Sequence, residues 1–259
     1  MIYCLQEWSD YYTDANVKDL HRFFDFYLKG IKNDWESTPK VRLSILQFGL
    51  GTIDHIFNRS EYDFPIPRTQ YRRYYLSESG LVSVPPNKSS KSYSSKDDCL
   101  TFSWIHSACE TTGFFSINLR MSTDHEDMDV YAFVEVYRAN CRQGVLCINP
   151  QRAAIKFLLK LMHDWQIGVN NKGFIFYWGP NGCLRSRQAE SQSKQQRILK
   201  FDMKQCGISW QQDDEMRLTI CGQQPKHLIL PGVKEAENIN KGLHTIHFGE
   251  DSYLVVPHV

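Results

Sequence analysis

The densest run of chemistry-bearing side chains is TDHEDMD, residues 123–129, where Asp124, Asp127 and Asp129 stand with His125 and Glu126. Carboxylates packed this closely can hold a hard cation such as calcium through their oxygens. A calcium loop needs a glycine at its sharp turn and none stands here, while Met128, Val130 and Ala132 alternate as in a strand. The run therefore reads as the polar lead-in to a strand, and no metal is assigned. His244 and His247 lie three apart, which on a strand puts them on opposite faces, where they cannot share one ion. With His227 remote in sequence, zinc is the lesser reading. The eight cysteines at 4, 99, 109, 141, 147, 183, 206 and 221 include no CxxC pair. A disulfide framework belongs to small secreted domains, so they read as mostly reduced, half-buried thiols.

The elements that would position these groups follow from periodicity. Over residues 14–29, Val17, Leu20, Phe23, Phe24, Tyr27 and Leu28, with Ile31 beyond, recur at three- and four-residue steps. Thr13 or Asp14 can cap the start and Gly30 suits a left-handed stop, so the spacing predicts an amphipathic helix. Burying that stripe is worth on the order of 10 kcal/mol before entropy, so it needs a partner surface. After Pro39 the period changes to two. Strands are predicted over 41–48, 71–76, 99–105, 115–122, 128–137, 174–178, 215–220, 242–248 and 252–257, the cleanest alternating Phe115, Ile117, Leu119 and Met121 against polar residues. Many short strands with long polar connections point to an antiparallel sandwich. A helix is expected over 149–168, capped by Asn149 with Pro150 in its first turn. The Ser/Lys-rich stretch 85–98 reads as a flexible surface loop, and Pro180-Asn181-Gly182 as a turn.

Bulk properties exclude several classes. The 259 residues carry a net charge of +1, which gives no general attraction to nucleic acid or an anionic membrane. The richest apolar run, AAIKFLLKLM, is broken by Lys156 and Lys160 and is too short to span a bilayer. No secretory leader follows Met1, so a soluble, cytoplasmic protein is expected. The sequons at Asn58 and Asn87 are read as chance. Tyr71, Tyr74, Tyr75, Trp104, Tyr177 and Trp178 are available for stacking on a sugar, or for the core.

Three blocks carry a resemblance. RFFDFYLKGIKNDWESTPKVRLSIL, followed by FPIPRTQYRRYYLSESGLVSVPP, is similar to the carboxy-terminal part of the cocaine-esterase-like and X-Pro dipeptidyl-peptidase serine hydrolases, in a fungal-looking form. DMDVYAFVEV and the ending NKGLHTIHFGEDSYLVVPHV resemble the same family, with weaker likeness over about 140–172 and 185–205. The resemblance implies an α/β-hydrolase domain followed by a jelly-roll β-sandwich of the galactose-binding-like type. Residues 1–38 would then be a remnant of the hydrolase domain and 39–259 the sandwich. Phe23, Phe24, Tyr27 and Leu28 would face the absent hydrolase domain, or a second copy of the chain.

Family enzymes cleave esters or X-Pro peptides with a serine, a histidine and an aspartate. The nucleophile sits in G-x-S-x-G, a pentapeptide that these 259 residues do not contain. In fungal-looking relatives the histidine lies shortly before EW-x-DYY, here Glu7, Trp8, Asp10, Tyr11 and Tyr12, and counting back puts Tyr3 in its place. A phenol with a pKa near 10 is a poor base at neutral pH, so no catalytic residue is assigned. The resemblance also implies that Arg185 or Arg187 pairs with Asp127 or Asp129, a structural role. The expected function is that of a non-catalytic carboxy-terminal domain of such a hydrolase. The alternative is an independent carbohydrate- or protein-binding sandwich.

Overall fold

A computed structural model describes residues 13–49, 55–125, 127–146, 176–187, 195–225 and 240–259. Tyr3, the 7–12 motif, Glu126, the expected helix at 149–168 and His227 lie outside the described residues.

Helix α1 spans Asp14–Lys29. The Thr13 hydroxyl accepts from the Asn16 amide, and Gly30 closes the helix with a φ of 66°, where a side chain would be strained. A 3-10 turn over Trp35–Ser37 leads into the strands. These are β1 Val41–Gln47, β2 Ile56–Glu61, β3 Gln70–Ser77, β4 Gly80–Val82, β5 Ser90–Ser94, β6 Cys99–Ile105, β7 Cys109–Gly113, β8 Ser116–Thr123 and β9 Asp127–Arg138. There follow β10 Cys141–Gln143, β11 Val145–Leu146, β12 Phe176–Tyr177, β13 Asn181–Arg187, β14 Arg197–Asp202, β15 Cys206–Trp210, β16 Glu215–Cys221, β17 Leu243–His247 and β18 Tyr253–His258.

Most of these strands form two sheets. The larger runs β2-β1-β15-β7-β18-β8-β17-β5, with β14 on β8 and β3–β4 on β18; the smaller runs β10-β9-β16-β6, with β13 on β9. Pairing is antiparallel except between β1 and β15, which run parallel. That pair departs from the fully antiparallel sandwich expected, because β1 and β15 are far apart in sequence and need no hairpin to meet.

The core lies between the sheets. From the larger come Ile117, Leu119, Met121, Leu254, Val256 and Ile246; from the smaller come Met128, Val130, Val134, Met216, Leu218 and Ile220, all at most 1% exposed. Period-two patterning puts one face of each strand into this layer, which is the logic of a β-sandwich.

Two expectations need correction. The predicted loop at 85–98 contains β5, which pairs antiparallel with β17 from Ser90↔His247 to Ser94↔Leu243. A strand needs only backbone partners and one anchor; here Tyr93 is buried while Ser90, Lys91 and Ser92 stay exposed. The expected turn at Pro180-Asn181-Gly182 is instead the start of a ladder, Asn181↔Phe133 and Gly182↔Ala132.

Candidate functional site

The feature that most needs an explanation is α1. None of its residues is buried, and Val17, Leu20, Phe24, Tyr27, Leu28 and Ile31 are all exposed, Leu28 to 76%. Polar groups attach the helix to its own sheet. Asp19 pairs with Arg42 of β1 at 2.5 Å, and Asn58 of β2 donates to Asn16 at 3.3 Å. Arg22 and Asn33 exchange side-chain-to-backbone hydrogen bonds at 3.3 and 2.8 Å. Phe23 is half-buried, its ring edge-on to Trp35 at 5.3 Å, and Phe26 is half-buried too. Phe23 therefore belongs to the seam with Trp35, and its ring also meets Phe24 at 5.2 Å and Tyr27 at 4.9 Å, whereas Phe24, Tyr27 and Leu28 themselves stay exposed. An apolar stripe turned to water with the polar edge turned to the sheet inverts the ordinary arrangement of a surface helix.

The strands under α1 are braced by charge. Arg59 of β2 grips Glu110 of β7 at 2.5 and 2.7 Å, across the two intervening strands β1 and β15, and its Nε lies 3.0 Å from Glu61. Arg68 holds the other side of Glu61 through two bonds of 2.7 Å. Those Arg68 bonds, outweighing burial, keep the Glu61 carboxyl below its usual range.

The acidic segment is engaged within the fold. Asp129, 3% exposed, accepts from Arg185 Nε at 2.9 and 3.1 Å and from Nη2 at 2.9 Å. Its backbone amide donates to Asn240 Oδ1 at 2.7 Å, and Asn240 Nδ2 returns a bond to the Asp129 carbonyl at 2.8 Å. Asp124 accepts from the Leu243 amide at 3.0 Å. Asp127 stands opposite Arg187 in the β9–β13 ladder. Among the described residues no group of three His, Cys, Asp or Glu side chains could hold a metal ion.

The histidines divide as strand alternation requires. His244 is fully buried and meets the Tyr93 hydroxyl at 3.1 Å, while His247, on the other face, meets Ser122 at 2.8 Å. Burial, only partly offset by Asp124, pulls the His244 pKa down to about 4. Sequence reasoning missed a second buried group at one end of the sandwich. Tyr74 meets His258 Nε2 at 2.9 Å, and His106 stacks on Trp210 at 4.5 Å. The rings of His106 and His258 are 6.0 Å apart, and burial takes both pKa values down to about 4. These four residues come from four separate parts of the chain, so no local spacing could have announced them.

Of the six aromatics singled out for stacking, five are covered. Tyr74 and Tyr177 are buried and Trp104 packs on the core. Tyr75 and Tyr253 meet edge-on at 5.7 Å, Arg73 covers the Tyr253 ring, and Arg142 covers Trp178. Tyr71 alone of the six is exposed.

Comparison with known proteins places this architecture. No curated protein sequence matches the chain. Among solved structures, a CocE/NonD family hydrolase from Staphylococcus aureus superposes with a TM-score of 0.72 at 20% identity, over 96% of this chain and 47% of that one. An aminopeptidase from a marine sediment Thaumarchaeota archaeon gives 0.56 at 12% identity, over 92% and 43%. An alpha-amino acid ester hydrolase gives 0.53 at 15% identity, over 93% and 44%. At such identities the likeness is one of fold, and the chain spans a little under half the length of each. The model of the X-Pro dipeptidyl-peptidase C-terminal non-catalytic domain matches residues 33–198, well over half of the sequence and beginning just past α1. The chain belongs to the family of X-Pro dipeptidyl-peptidase C-terminal non-catalytic domains.

Proposed function

We propose that this chain serves as the non-catalytic β-sandwich, jelly-roll and galactose-binding-like in type, of an X-Pro dipeptidyl-peptidase or esterase-like serine hydrolase of the cytoplasm. Its α1 would seat an α/β-hydrolase domain that supplies the nucleophile, and the sandwich would help to shape the substrate entrance. The observation that carries this reading is the inverted helix. Six apolar side chains of α1 and its exit face outward, while Asn16 and Asp19 hold the polar edge to β1 and β2. The matched family segment starts at residue 33, which leaves α1 outside it, as expected of an element that belongs with a neighbouring domain. A chain with these residues alone would bind through α1 and hydrolyse nothing.

The test is turnover of a chromogenic short-chain ester and of an X-Pro anilide by the purified chain, beside Tyr3→His. Absence of turnover from both supports the non-catalytic reading. Turnover abolished by a serine-directed inhibitor would overturn it, because it would require a nucleophile within these 259 residues.

A further inference from the structure

Three cysteines and a tyrosine form one row across the smaller sheet. Cys183 of β13 stands opposite Tyr131 of β9, Tyr131 opposite Cys221 of β16, and Cys221 opposite Cys99 of β6. Residues directly opposite on paired strands share a face, so all four side chains project from the same side. Only one cysteine pair in the row is adjacent. Directly opposite residues of an antiparallel pair have Cα atoms about 4.5–5.5 Å apart, inside the span a disulfide accepts. Cys183 and Cys221 are two strand spacings apart, about 9–10 Å, which is beyond it.

We propose that Cys99 and Cys221 are a site of oxidative modification, a dithiol that closes into a cross-strand disulfide when a peroxide reaches Cys99. Exposure assigns the roles. Cys99 is open to solvent and Cys221 is 2% exposed, so the oxidant meets Cys99 first. The Cys99 thiolate attacks one peroxide oxygen, displacing hydroxide (an alcohol or lipid alkoxide if the peroxide is organic) and becoming a sulfenic acid. The Cys221 sulfur then attacks the Cys99 sulfur, and water leaves with the Cys221 proton. Two thiols are oxidised and one peroxide is reduced.

The local structure favours the first step and sets the partner in place for the second. There Cys221, its pKa raised by its hydrogen bond to Cys99 and by burial, attacks as a thiol that gives its proton to the departing water. The Cys221 sulfur lies 3.0 Å from the Gln223 carbonyl and within hydrogen-bond reach of Cys99, so its one proton can go to either acceptor. Donation from Cys221 lowers the Cys99 pKa, so the exposed sulfur is the one that ionises. The strand ends are drawn together without any covalent link. The Gln223 side chain donates to the Lys96 carbonyl, and Gly222 lies so close to the Ser95 carbonyl that a Cβ there would collide with it. Closing the bond therefore requires the two sulfurs to turn toward each other and little else of the chain to move.

Stepwise hydrogen peroxide, alkylation of residual thiols and peptide mapping without reductant test this on the full chain. The expected result is a linked Cys99–Cys221 peptide that dithiothreitol releases, with Cys183 still alkylated. In Cys221→Ser the sulfenic acid on Cys99 should persist long enough to be trapped by dimedone. In Cys99→Ser, an exposed change that leaves the core intact, Cys221 should remain alkylatable after peroxide and unfolding. A bond from either residue to another cysteine, oxidation of wild-type Cys99 to sulfinic acid with Cys221 still free, or no reaction at Cys99 would each overturn the proposal.

Discussion

Arg185 lies directly opposite Asp129 in the β13–β9 ladder and reaches its carboxylate with two nitrogens. Asp129 is almost wholly buried while the Arg185 side chain is 58% exposed, so the pair has a dry end and a wet one. Asp129→Asn keeps the shape and removes the charge that Arg185 is turned to meet. It should lower the melting temperature by roughly 2–4 °C, the equivalent of about 1 kcal/mol in a chain of this size. Scanning calorimetry beside Arg185→Lys, which should fall less than Arg185→Ala, checks the assignment.

Asn240, fully buried, matters more than its size suggests. It bonds the Asp129 amide, the Asp129 carbonyl and the Gly222 carbonyl, joining β9 to the end of β16. Asn240→Ala would take one hydrogen-bond partner from each of three backbone groups and should cost about 3 kcal/mol in a urea titration. Asn240→Asp, which keeps the acceptor but turns a buried carboxylate oxygen toward the Asp129 and Gly222 carbonyls, should cost at least as much.

Acid should unfold the protein through its buried histidines. His106, His244 and His258 have folded pKa values lowered to about 4 from 6.5. At neutral pH each is uncharged in the folded and unfolded chains alike. As pH falls below 6.5 the unfolded chain takes up protons that the folded one refuses, so stability drops until about pH 4. Each site can contribute about 3 kcal/mol at most across that window, with His106 and His258 sharing part of theirs because they are neighbours. Urea midpoints measured from pH 7.5 to pH 4 should fall steadily, and the imidazole NMR shifts of His106, His244 and His258 in the folded protein should not move until below pH 5. A flat stability profile over that range would refute the account.

The exposed side chains of α1 should govern association and leave stability alone. Phe24→Asp with Leu28→Asp changes surface positions, so the melting temperature should stay within the range expected for about 0.5 kcal/mol. Light scattering should show the unchanged chain self-associating with rising concentration and the double variant remaining monomeric. Protease should cut within the first 35 residues of the unchanged chain. A unique monomer that protects α1 would count against a docking role.

Much of the sandwich could be read in the residues. Phe115 to Met121 alternate because β8 has one face in the core, while β9 buries Met128, Val130, Ala132, Val134 and Val136 in the core and also Asp129, Phe133 and Glu135 on its other face. Thr13 and Gly30 mark the ends of α1 by capping chemistry alone. Half of the strands, β2, β4, β5, β7, β10, β11, β13, β14 and β15, lie outside the stretches whose periodicity predicts a strand; among them Ser-Lys-Ser-Tyr-Ser, Cys-Glu-Thr-Thr-Gly and Asn-Gly-Cys-Leu-Arg-Ser-Arg carry loop composition. The ladders of these three come from partners far along the chain, information no local window holds. The family likeness implies only that Arg185 or Arg187 meets Asp127 or Asp129 and does not choose among the four combinations, whereas the Tyr74, His106 and His258 group is created by the fold. The direction in which α1 turns its apolar side also depends on Arg42 and Asn58, which helical periodicity cannot see.

That direction has a consequence for how a second domain would be received. Because Asp19 is fixed to Arg42 and Asn16 to Asn58, the helix is already oriented before anything binds, and its rigid-body position need not be searched for. Docking on such a pre-organised element forgoes much of the ordering entropy that a floppy segment would lose. Arg42→Ala should therefore weaken assembly with a hydrolase domain chiefly by letting α1 swing, even though Arg42 touches none of the side chains that the domain would cover.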